Sequence, residues 1–456
     1  MKGDIEMASV KPVKNGYKVT VSNGYDSLGK KITVSKTFTP KSNWSEEKTK
    51  SELEKFKVRF EDQVKNGVNI KAEKMTFEKL ARLFLEDIQP PEIEKTTYSS
   101  YKKICNHRLI PLLGRERITT INGHTIKTYS NQLRKEGIRL DGKPGSLSEG
   151  TIKKDVAVIS TILSYGASEG YLSVNPLIYS GKRRSGKKKE KEYQVKYLSI
   201  EQTKWLLEAM DSDIAITRKA HTCKRKDGTT YTVKEYTQNW RLDLKWRVCF
   251  CIALFTGDRR GENIALTWED LDFEECTVNI DESTAYADGE VYQKDTKTHS
   301  SRVAVVPPFV MDLARQLYAE QLQTSFLLGD QWVGYRGKDF RKNWVFQQWN
   351  GKQMNLDSPR HEFKRLIRIY NTNVAQSESE YISEDVTLHD LRHTTASILI
   401  SNNMDPRSVA GVLGHADATT TLNIYAYFFK TKHREAANIM QDVLLPKKEK
   451  IETVAQ

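Results

Sequence analysis

The sequence has few features that would cross-link the chain, bind a metal ion or anchor it in a membrane. It contains five cysteines among 456 residues, and their spacing does not match the paired Cys and His ligands of a zinc site. Cys249 and Cys251 lie in the apolar run WRVCFCIALF and are predicted to be buried free thiols. The chain has no run of eighteen apolar residues, and the N-terminus MKGDIEMASV lacks the hydrophobic core of a signal peptide. These absences predict a cytoplasmic protein.

Motifs for nucleotide-dependent or metal-dependent chemistry are also missing. The chain has no phosphate loop of the form G-x-x-x-x-G-K-[ST] and no evident cluster of carboxylates that would bind magnesium. Carboxylates such as Asp385 and Asp390 are better explained as structural. We therefore expect a reaction that needs neither ATP nor a metal ion as cofactor.

Positive charge is what the composition has in excess. Lys and Arg number 72 against 59 Asp and Glu, which gives a net charge of +13 and a pI near 9.2. This balance favours a polyanionic partner, although a merely soluble basic protein would show it too. The length is sufficient for about three domains.

Histidine is rare, yet three of the nine histidines lie between Thr387 and Tyr425, in TLHDLRHTTASILISNNMDPRSVAGVLGHADATTTLNIY. His389 and Arg392 are three residues apart at the start of a predicted helix, so both would project from the same side of its first turn. Two cationic donors that face one point indicate chemistry on a negatively charged group.

A turn and a tyrosine follow in the same stretch. Residues 402–406 break the first helix, and a second short helix is predicted over about 407–413, ending at Gly414. His415 therefore lies at a turn, and Tyr425 follows ten residues later in the run LNIYAYFF. Such a set suits a nucleophile beside a phosphate-binding cluster. Taken singly, each residue has a plainer explanation, as a structural hydrogen-bonding histidine or a core aromatic.

The order and spacing of these motifs carry more information than any single residue. HDLRHT, then LGH, then a tyrosine ten residues later resemble the C-terminal active-site half of the tyrosine recombinases, the phage integrase family of site-specific DNA recombinases. Upstream, FTGDRRGENIALTWEDLDF at 255–273 resembles the family's first arginine box. Between the two, KDTKTHSSR, flanked by predicted strands near 277–280, 291–293 and 302–306, resembles the β-hairpin that carries the family's catalytic lysine.

The resemblance implies a complete catalytic set with one supporting acid. The catalytic residues would be Arg259, Lys297, His389, Arg392, His415 and the nucleophile Tyr425, with Glu262 as the supporting residue. The two arginines would stabilise the charge that develops on the phosphate oxygens, and Lys297 would protonate the departing 5′-oxygen. Asp258 departs from the pattern, because the family usually has an apolar residue there. It either tunes the arginine cluster or points to solvent.

The N-terminal 70 residues are predicted to form a small basic module. Residues 1–75 contain 16 Lys and Arg against 10 Asp and Glu. Alternating apolar residues at 17–21 and 32–38, with a helix expected over 45–64, resemble the three-stranded sheet plus helix of the arm-type DNA-binding domain of many integrases. A solvated β-hairpin module with no role in DNA binding would show the same pattern.

Residues 76–178 are predicted to be helical, with Thr76 as an N-cap and apolar stripes that begin at Phe77 and Ile152. The segment resembles the family's helical core-binding domain. Its cations would contact DNA phosphates, although a solvated face is the default explanation. These cations are Lys102, Lys103, Arg108, Lys153 and Lys154.

Residues 179–197 contain eight Lys and Arg, two Glu and no periodic apolar residues, which predicts a flexible basic linker. Positive charge there would favour DNA binding through counterion release. The candidate DNA-binding residues of this linker are Lys182, Arg183, Arg184, Lys187 and Lys188.

The remaining chain is predicted to hold the catalytic domain, 198–430, and a C-terminal segment, 431–456, which would pack on its own subunit or on a neighbour. The polar stretch 218–239 is interpreted as a surface insertion, in the form of a β-hairpin, without an assigned function. The predicted fold is therefore multi-domain and mainly α with small β-sheets. It comprises a sheet-plus-helix module, a helical core-binding domain and a mixed α/β catalytic domain of the tyrosine recombinase fold.

These motifs predict a site-specific recombinase that integrates and excises a phage or integrative mobile element through a 3′-phosphotyrosyl intermediate. Its partners would be double-stranded DNA with core-type and arm-type sites, further copies in a homotetramer on paired sites, and an excisionase or host DNA-bending protein. Chromosome-dimer-resolving recombinases usually lack the N-terminal module, and type IB topoisomerases use similar chemistry on one duplex. A basic DNA-binding regulator is the non-enzymatic alternative.

Overall fold

The computed structural model describes residues 8–25, 31–41, 44–65, 75–139, 141–180, 196–295 and 301–415, and the single positions Thr419, Thr421, Leu422, Met440 and Leu444. Within these residues the α-helices are α1 (Glu46–Lys65), α2 (Phe77–Asp87), α3 (Lys95–Ile104), α4 (Ile110–Leu113), α5 (Gly123–Leu133), α6 (Glu149–Ser168), α7 (Pro176–Ser180), α8 (Ile200–Asp211), α9 (Leu244–Thr256), α10 (Arg260–Ala265), α11 (Pro308–Leu327), α12 (Ser358–Asn373), α13 (Leu388–Ser401) and α14 (Pro406–Leu413). The strands are β1 (Ser9–Val13), β2 (Gly16–Tyr25), β3 (Lys31–Phe38), β4 (Ile214–Arg218), β5 (His221–Lys224), β6 (Thr230–Val233), β7 (Tyr236–Trp240), β8 (Leu271–Asp272), β9 (Thr277–Ile280), β10 (Glu282–Ala287), β11 (Glu290–Asp295) and β12 (Arg302–Val305). The predicted fold class, mainly α with small β-sheets, is confirmed, and the chain divides into two compact units, 1–189 and 190–456.

The first unit begins with a three-stranded antiparallel sheet, in the order β1-β2-β3, against which α1 packs. Alternation along β2 buries Val19 and Val21 in one cluster with Phe60 and Val64 of α1. Each such side chain contributes about 1.5–3 kcal/mol when fully buried. The expected three-stranded sheet and helix are present, and β1 is the strand whose position its own sequence, SVKPV, did not indicate.

A second core follows, formed mainly by α2, α3, α5 and α6. Thr76 caps α2 by accepting the N–H of Lys79, as predicted. The apolar stripe of α2 is buried because it repeats at helical spacing on one face. Its members are Phe77, Leu80, Ala81, Phe84 and Leu85. From α6, Ile152, Ile159 and Leu163 complete the same core.

The contacts of Arg108 contradict the prediction that this residue binds a DNA phosphate. Its guanidinium donates two hydrogen bonds, of 2.6 and 2.7 Å, to Asp155 of α6, which is fully buried and also accepts the hydroxyl of Tyr129 at 3.0 Å. These bonds raise the pKa of Arg108 and join the π-helical turn Cys105–Leu109 to α5 and α6. Arg108 is therefore structural and not a free phosphate contact. The four lysines predicted beside it are exposed: Lys102, Lys103, Lys153 and Lys154.

Helix α9 is the centre of the second unit. Its residues are apolar all round, so nearly the whole helix is buried, packed against α10, α11, α12 and α13. Cys249 and Cys251 are buried in it as free thiols, as predicted, and burial raises the pKa of Cys251 to about 12. The sheet β12-β9-β8 and the hairpin β10-β11 lie in the same unit. Because α9 leads directly into the arginine box, its packing fixes the position of the box.

The insertion at 218–239 is a β-hairpin in two parts, in which β4 pairs with β7 and, further out, β5 pairs with β6. Three residues are buried at its base: Ile214, Ile216 and Trp240. None of residues 217–237 is buried. Helix α12 begins beside the arginine box, where Arg260 pairs with Asp357 at 2.5 Å, and its later residues contact β4. The hairpin therefore lies at the other end of α12 from the box.

Within the described ranges, no helix is long and apolar enough to cross a membrane. Several predictions concern residues outside these ranges, namely most of the basic linker and nearly all of the segment 431–456. The linker cations among them are Lys182, Arg183, Arg184, Lys187 and Lys188. These assignments stay predictions, as do the domain boundaries at 70, 178, 198 and 430.

Candidate active site

The arginine box is built at the end of α9. The helix stops at Gly257, which adopts a left-handed conformation with φ of 60° and donates its N–H to the carbonyl of Ala253. Two residues later, Arg259 is the N-cap residue of α10. Glu262 accepts the N–H of Arg259 at 3.1 Å and its Nη1 at 2.5 Å. The acid therefore both caps the helix and holds the guanidinium group.

Gly257 also joins the box to the HDLRHT helix, α13. Its carbonyl accepts Nη1 of Arg392 at 2.6 Å. A β-carbon at this position would lie 2.5 Å from Cδ2 of Leu413 in α14, and a φ of 60° strains any other residue. Both space and backbone conformation therefore require glycine where α9, α13 and α14 meet.

Arg392 is buried on α13, with only 3% of its surface exposed. The helix begins with a capping box in which Asp390 accepts the N–H and the hydroxyl of Thr387, each at 2.7 Å. Gly257 holds one end of the guanidinium, while Nη2 has no hydrogen-bond partner among the described residues. Burial, and then the charge of Arg259, lower the pKa of Arg392 to about 10. A buried arginine with an unused donor beside a second arginine suits an anionic ligand.

Arg302 belongs to the same cluster, although the sequence did not single it out. It opens β12, and its side chain is 10% exposed. Nη2 donates to Oε2 of Glu262 at 2.8 Å, so this buried acid lies between two arginines. Burial alone would raise the pKa of Glu262, but the charge of Arg302 and the hydrogen bonds from Arg259 outweigh it and lower the pKa below its ordinary value. Glu262 is therefore ionised at neutral pH.

The two predicted histidines adjoin the cluster on different helices. His389 lies in the first turn of α13, with part of its ring exposed, and loss of water on its inner side, then the charge of Arg392, lower its pKa. His415 follows Gly414, whose φ of 66° ends α14, and its Nδ1 lies 2.8 Å from Oγ1 of Thr421. Burial, and then the neighbouring arginines, lower the pKa of His415 to about 4. Both rings are therefore uncharged at neutral pH.

Asp258 is only 5% exposed, so the alternative in which it points to solvent is wrong. Its Oδ2 accepts Nδ2 of Asn263 at 2.9 Å, and Oδ1 of Asn263 in turn accepts the thiol of Cys249 at 3.1 Å. Oδ1 of Asp258 has no partner among the described residues. Burial, and then repulsion from Glu262, raise the pKa of Asp258 to about 7, against the opposing effects of Asn263 and the arginines. This carboxyl group is thus partly ionised at neutral pH.

The cluster as a whole carries net positive charge. Three guanidinium groups face the ionised Glu262 and the partly ionised Asp258, while both histidines are uncharged. Nη2 of Arg392 and Nε of Arg302 are buried donors without a partner in the described part of the chain. Each unpaired buried donor costs about 1–3 kcal/mol, so an oxyanion that accepts from Nη2 of Arg392 would bind favourably. Among the same described residues, no group of three His, Cys, Asp or Glu could hold a metal ion.

Two predicted catalytic residues, Lys297 and Tyr425, lie outside the described residues. The sequence places Lys297 in the connection between β11 and β12. The structure brings the other four predicted catalytic residues together with the supporting acid. These are Arg259, His389, Arg392 and His415, with Glu262.

Matches to family models cover much of the chain. A model of the phage integrase family matches residues 232–431, a stretch that includes every predicted catalytic residue. A model of the phage integrase N-terminal SAM-like domain matches residues 76–134. The two matches together span more than half of the chain.

Relatives over the full length and a solved structure agree with these matches. The chain is 24% identical to a protein named "Tyrosine recombinase XerC-like" from Caldanaerobacter subterraneus subsp. tengcongensis, over 95% of this chain and 98% of the relative. It is 23% identical to the ICEBs1 integrase of Bacillus subtilis, over 96% of this chain and 100% of the relative. The Tn1549 transposon integrase, solved in complex with transposon right end DNA, has the same fold with a TM-score of 0.59 at 20% identity, covering 82% of this chain and 100% of that chain. The chain belongs to the phage integrase family, the family of the tyrosine recombinases.

Proposed function

We propose that this protein is a site-specific integrase that cuts and rejoins DNA to integrate and excise a phage or an integrative mobile element. The observation that carries the proposal is the buried arginine cluster around Arg392, whose unpaired donor and net positive charge suit a phosphodiester. The names of the ICEBs1 and Tn1549 integrases support the mobile-element context, and the Tn1549 protein was solved with DNA.

In this scheme Tyr425 is the nucleophile. Its phenol oxygen attacks the phosphorus, the P–O5′ bond breaks, and the products are a 3′-phosphotyrosyl ester and a free 5′-hydroxyl. Negative charge on the nonbridging oxygens rises in the transition state, where Arg259 and Arg392 donate hydrogen bonds, and each such donor is worth about 10²–10³ in rate. Glu262 supports the reaction by fixing the Arg259 guanidinium.

Proton transfer is assigned to the remaining groups. A phenol has a pKa of about 10, so its ionisation at neutral pH costs about 4 kcal/mol, and a neutral His389 can accept the proton or donate to the phosphate. His415 donates to a phosphate oxygen. Lys297 protonates the departing 5′-oxygen.

The tyrosyl ester keeps the free energy of the broken phosphodiester. A 5′-hydroxyl from another strand can therefore attack the ester, release Tyr425 and reseal the backbone. This scheme consumes no ATP and assigns no step to a metal ion.

The whole-chain arrangement in this proposal follows from the need to pair two DNA sites. The helical segment 76–178 and the catalytic domain bind core-type sites, and the sheet-plus-helix module binds arm-type sites. Four copies assemble on two paired sites in the cytoplasm. An excisionase or a host DNA-bending protein sets the direction of the reaction.

Three other functions use part of the same machinery. A chromosome-dimer-resolving recombinase would use the same catalytic residues, but it usually lacks an N-terminal module such as the three-stranded sheet of this chain. A type IB topoisomerase would relax one duplex without exchange between two. A DNA-binding regulator would use the arginines only to bind phosphate and would leave the rest of the predicted catalytic set without a role.

Covalent trapping tests the proposal. The substrate is a nicked duplex made from the repeat sequences that flank the gene, so that the cleaved strand cannot be resealed. The parent protein should form an adduct that survives SDS electrophoresis, because the tyrosyl ester accumulates, and Tyr425→Phe should form none. Tyr427→Phe is the matched control and should keep the adduct.

Other outcomes would contradict the proposal in different ways. An adduct that persists in Tyr425→Phe would assign the nucleophile to another residue, first of all Tyr427. Supercoil relaxation without exchange between paired sites would favour the topoisomerase. DNA binding by the parent without any adduct would favour the regulator.

A further inference from the structure

We propose that Arg302 is a positioning residue of this active site, which orients Arg259 through Glu262 and His415 through Gly414 for the scissile phosphate. The inference rests on the proposed function, because its first readout is DNA cleavage. It assigns no direct contact with DNA to Arg302.

The strand that carries Arg302 is arranged to place this side chain inside. β12 pairs with β9, with Arg302 opposite Ile280. Along β12, Ala304 is 7% exposed on the same face as Arg302, whereas Val303 and Val305 are 65% and 72% exposed. Arginine is seldom buried unless it is paired, and valine is among the residues most often buried. Burying an arginine while two valines are exposed is unfavourable for the strand alone. This indicates that the contacts of Arg302 within the arginine cluster hold its side chain inside.

The first link runs through Glu262. Its Oε1 accepts Nη1 of Arg259, and its Oε2 accepts both the N–H of Arg259 and Nη2 of Arg302. One buried carboxylate between two guanidinium groups leaves a net positive charge on the trio. Without Arg302, Arg259 alone would balance the charge of Glu262. The carboxylate would then draw the guanidinium of Arg259 away from the phosphate and weaken the electrostatic attraction between Arg259 and the phosphate.

The second link is the turn that carries His415. A β-carbon at Gly414 would lie 2.7 Å from Nη1 of Arg302 and 3.1 Å from its Cδ and Cζ. The guanidinium thus occupies the space in which any other residue at position 414 would place its side chain. Because Gly414 directly precedes His415, the guanidinium supports the turn, and its charge also contributes to the low pKa of His415.

The test compares Arg302→Gln with Arg260→Gln, since both remove one positive charge. Arg260 is adjacent to Arg259, but it is 37% exposed and pairs with Asp357. In single-turnover trapping, Arg302→Gln should form the adduct about 10–10²-fold more slowly, as expected for a misplaced reacting group. Arg260→Gln should stay within about fivefold of the parent. Arg302→Lys restores the charge without the planar fork and should recover part of the rate.

Two readouts separate positioning from a general loss of folded protein. Misfolding lowers the amplitude of adduct formation, whereas misplacement lowers its rate constant. In addition, Arg302→Gln should raise the pKa of His415, measured by NMR on protein with ¹³C-labelled histidine and assigned with His415→Gln, whereas Arg260→Gln should leave it in place. The NMR titration needs no DNA.

The outcomes distinguish this inference from the proposed function. Equal adduct rates in Arg302→Gln and Arg260→Gln, with an unmoved titration of His415, would overturn the role of Arg302. A parent that forms no adduct, while Arg302→Gln still moves the titration of His415, would overturn the proposed function and leave the contact between Arg302 and the His415 turn supported.

Discussion

Asp258 gives the site a pH dependence that arginines alone would not have. Its carboxyl group has a pKa of about 7 and interacts with Glu262, Arg302 and Arg392. Below this pH it is mostly protonated, and the cluster is more positive. As the pH rises through this value, ionisation adds a negative charge beside the anion site. A bound phosphate raises the pKa of Asp258 further, because like charges repel.

The affinity of Tyr425→Phe for its DNA site should therefore fall as the pH rises from about 6 to 8.5, the range in which Asp258 ionises. Adding Asp258→Asn, which is close to isosteric, should remove most of this fall. Fluorescence anisotropy at constant ionic strength measures both proteins. If the two lose affinity in parallel, the titrating group is a different one.

The site residues that could be predicted from the sequence are those that lie at fixed positions relative to helix ends. Arg259 and Glu262 open α10, His389 and Arg392 lie on the first turns of α13, and His415 follows the end of α14. Neither the presence of Arg302 in the site nor the burial of Asp258 could be predicted, because neither follows from the spacing of residues in the sequence. In β12 two valines are exposed and the arginine is largely buried, which reverses the usual pattern. For Asp258, an acidic residue just after a helix end is usually exposed to water.

At the scale of elements, the outer part of the inserted hairpin, which contains β5 and β6, should be removable without loss of the fold. Its exposed part buries nothing, and Arg218 lies opposite Tyr236 in the ladder. Replacing residues 219–235 with an Asn-Gly turn closes a two-residue hairpin at this pair. The melting temperature of the full chain should change by about 2 °C or less, as for surface changes.

Trp240→Ala is the contrasting variant, because Trp240 is 9% exposed in the core at the hairpin base. It should lower the melting temperature by about 10 °C, since a large-to-small core change costs about 3–5 kcal/mol. Calorimetry measures both variants. A comparable drop in the shortened hairpin would contradict the view that its outer part is independent of the core.

The elements that the sequence predicted are those with a strong apolar period. α1 and α2 lie close to the predicted positions because each has an apolar face that must be buried. The resemblance implied a third strand in the N-terminal sheet, but the position of β1 was not readable from its own residues, because SVKPV has a proline and lacks clear alternation. The π-helical turn at Cys105–Leu109 has no sequence signal of its own.

At the scale of the whole molecule, DNA affinity should depend steeply on salt because the net charge is +13. Four exposed lysines on α3 and α6 are the candidates in the core-binding segment: Lys102, Lys103, Lys153 and Lys154. If each contacts one phosphate, changing all four to Gln should reduce the slope of log K against log salt concentration by about 3.6, or 0.9 per contact.

The control changes four exposed cations of α1 instead: Lys48, Lys50, Lys55 and Arg59. On a duplex that contains only the core-type site, this variant should keep the parent slope. Anisotropy titrations across a series of salt concentrations give both slopes. Equal reductions in the two variants would show that the lysines act through overall charge and not through contacts.

The contact between Gly257 and Leu413 limits which chimeras of this enzyme and a relative can be functional. The two residues come from the arginine box and from the LGH motif, and the space between them has no room for a β-carbon on Gly257. A chimera joined anywhere between them would inherit the glycine from one parent and the opposing side chain from the other. Functional hybrids should therefore be confined to donors that supply a leucine, or a smaller residue, at the matching position.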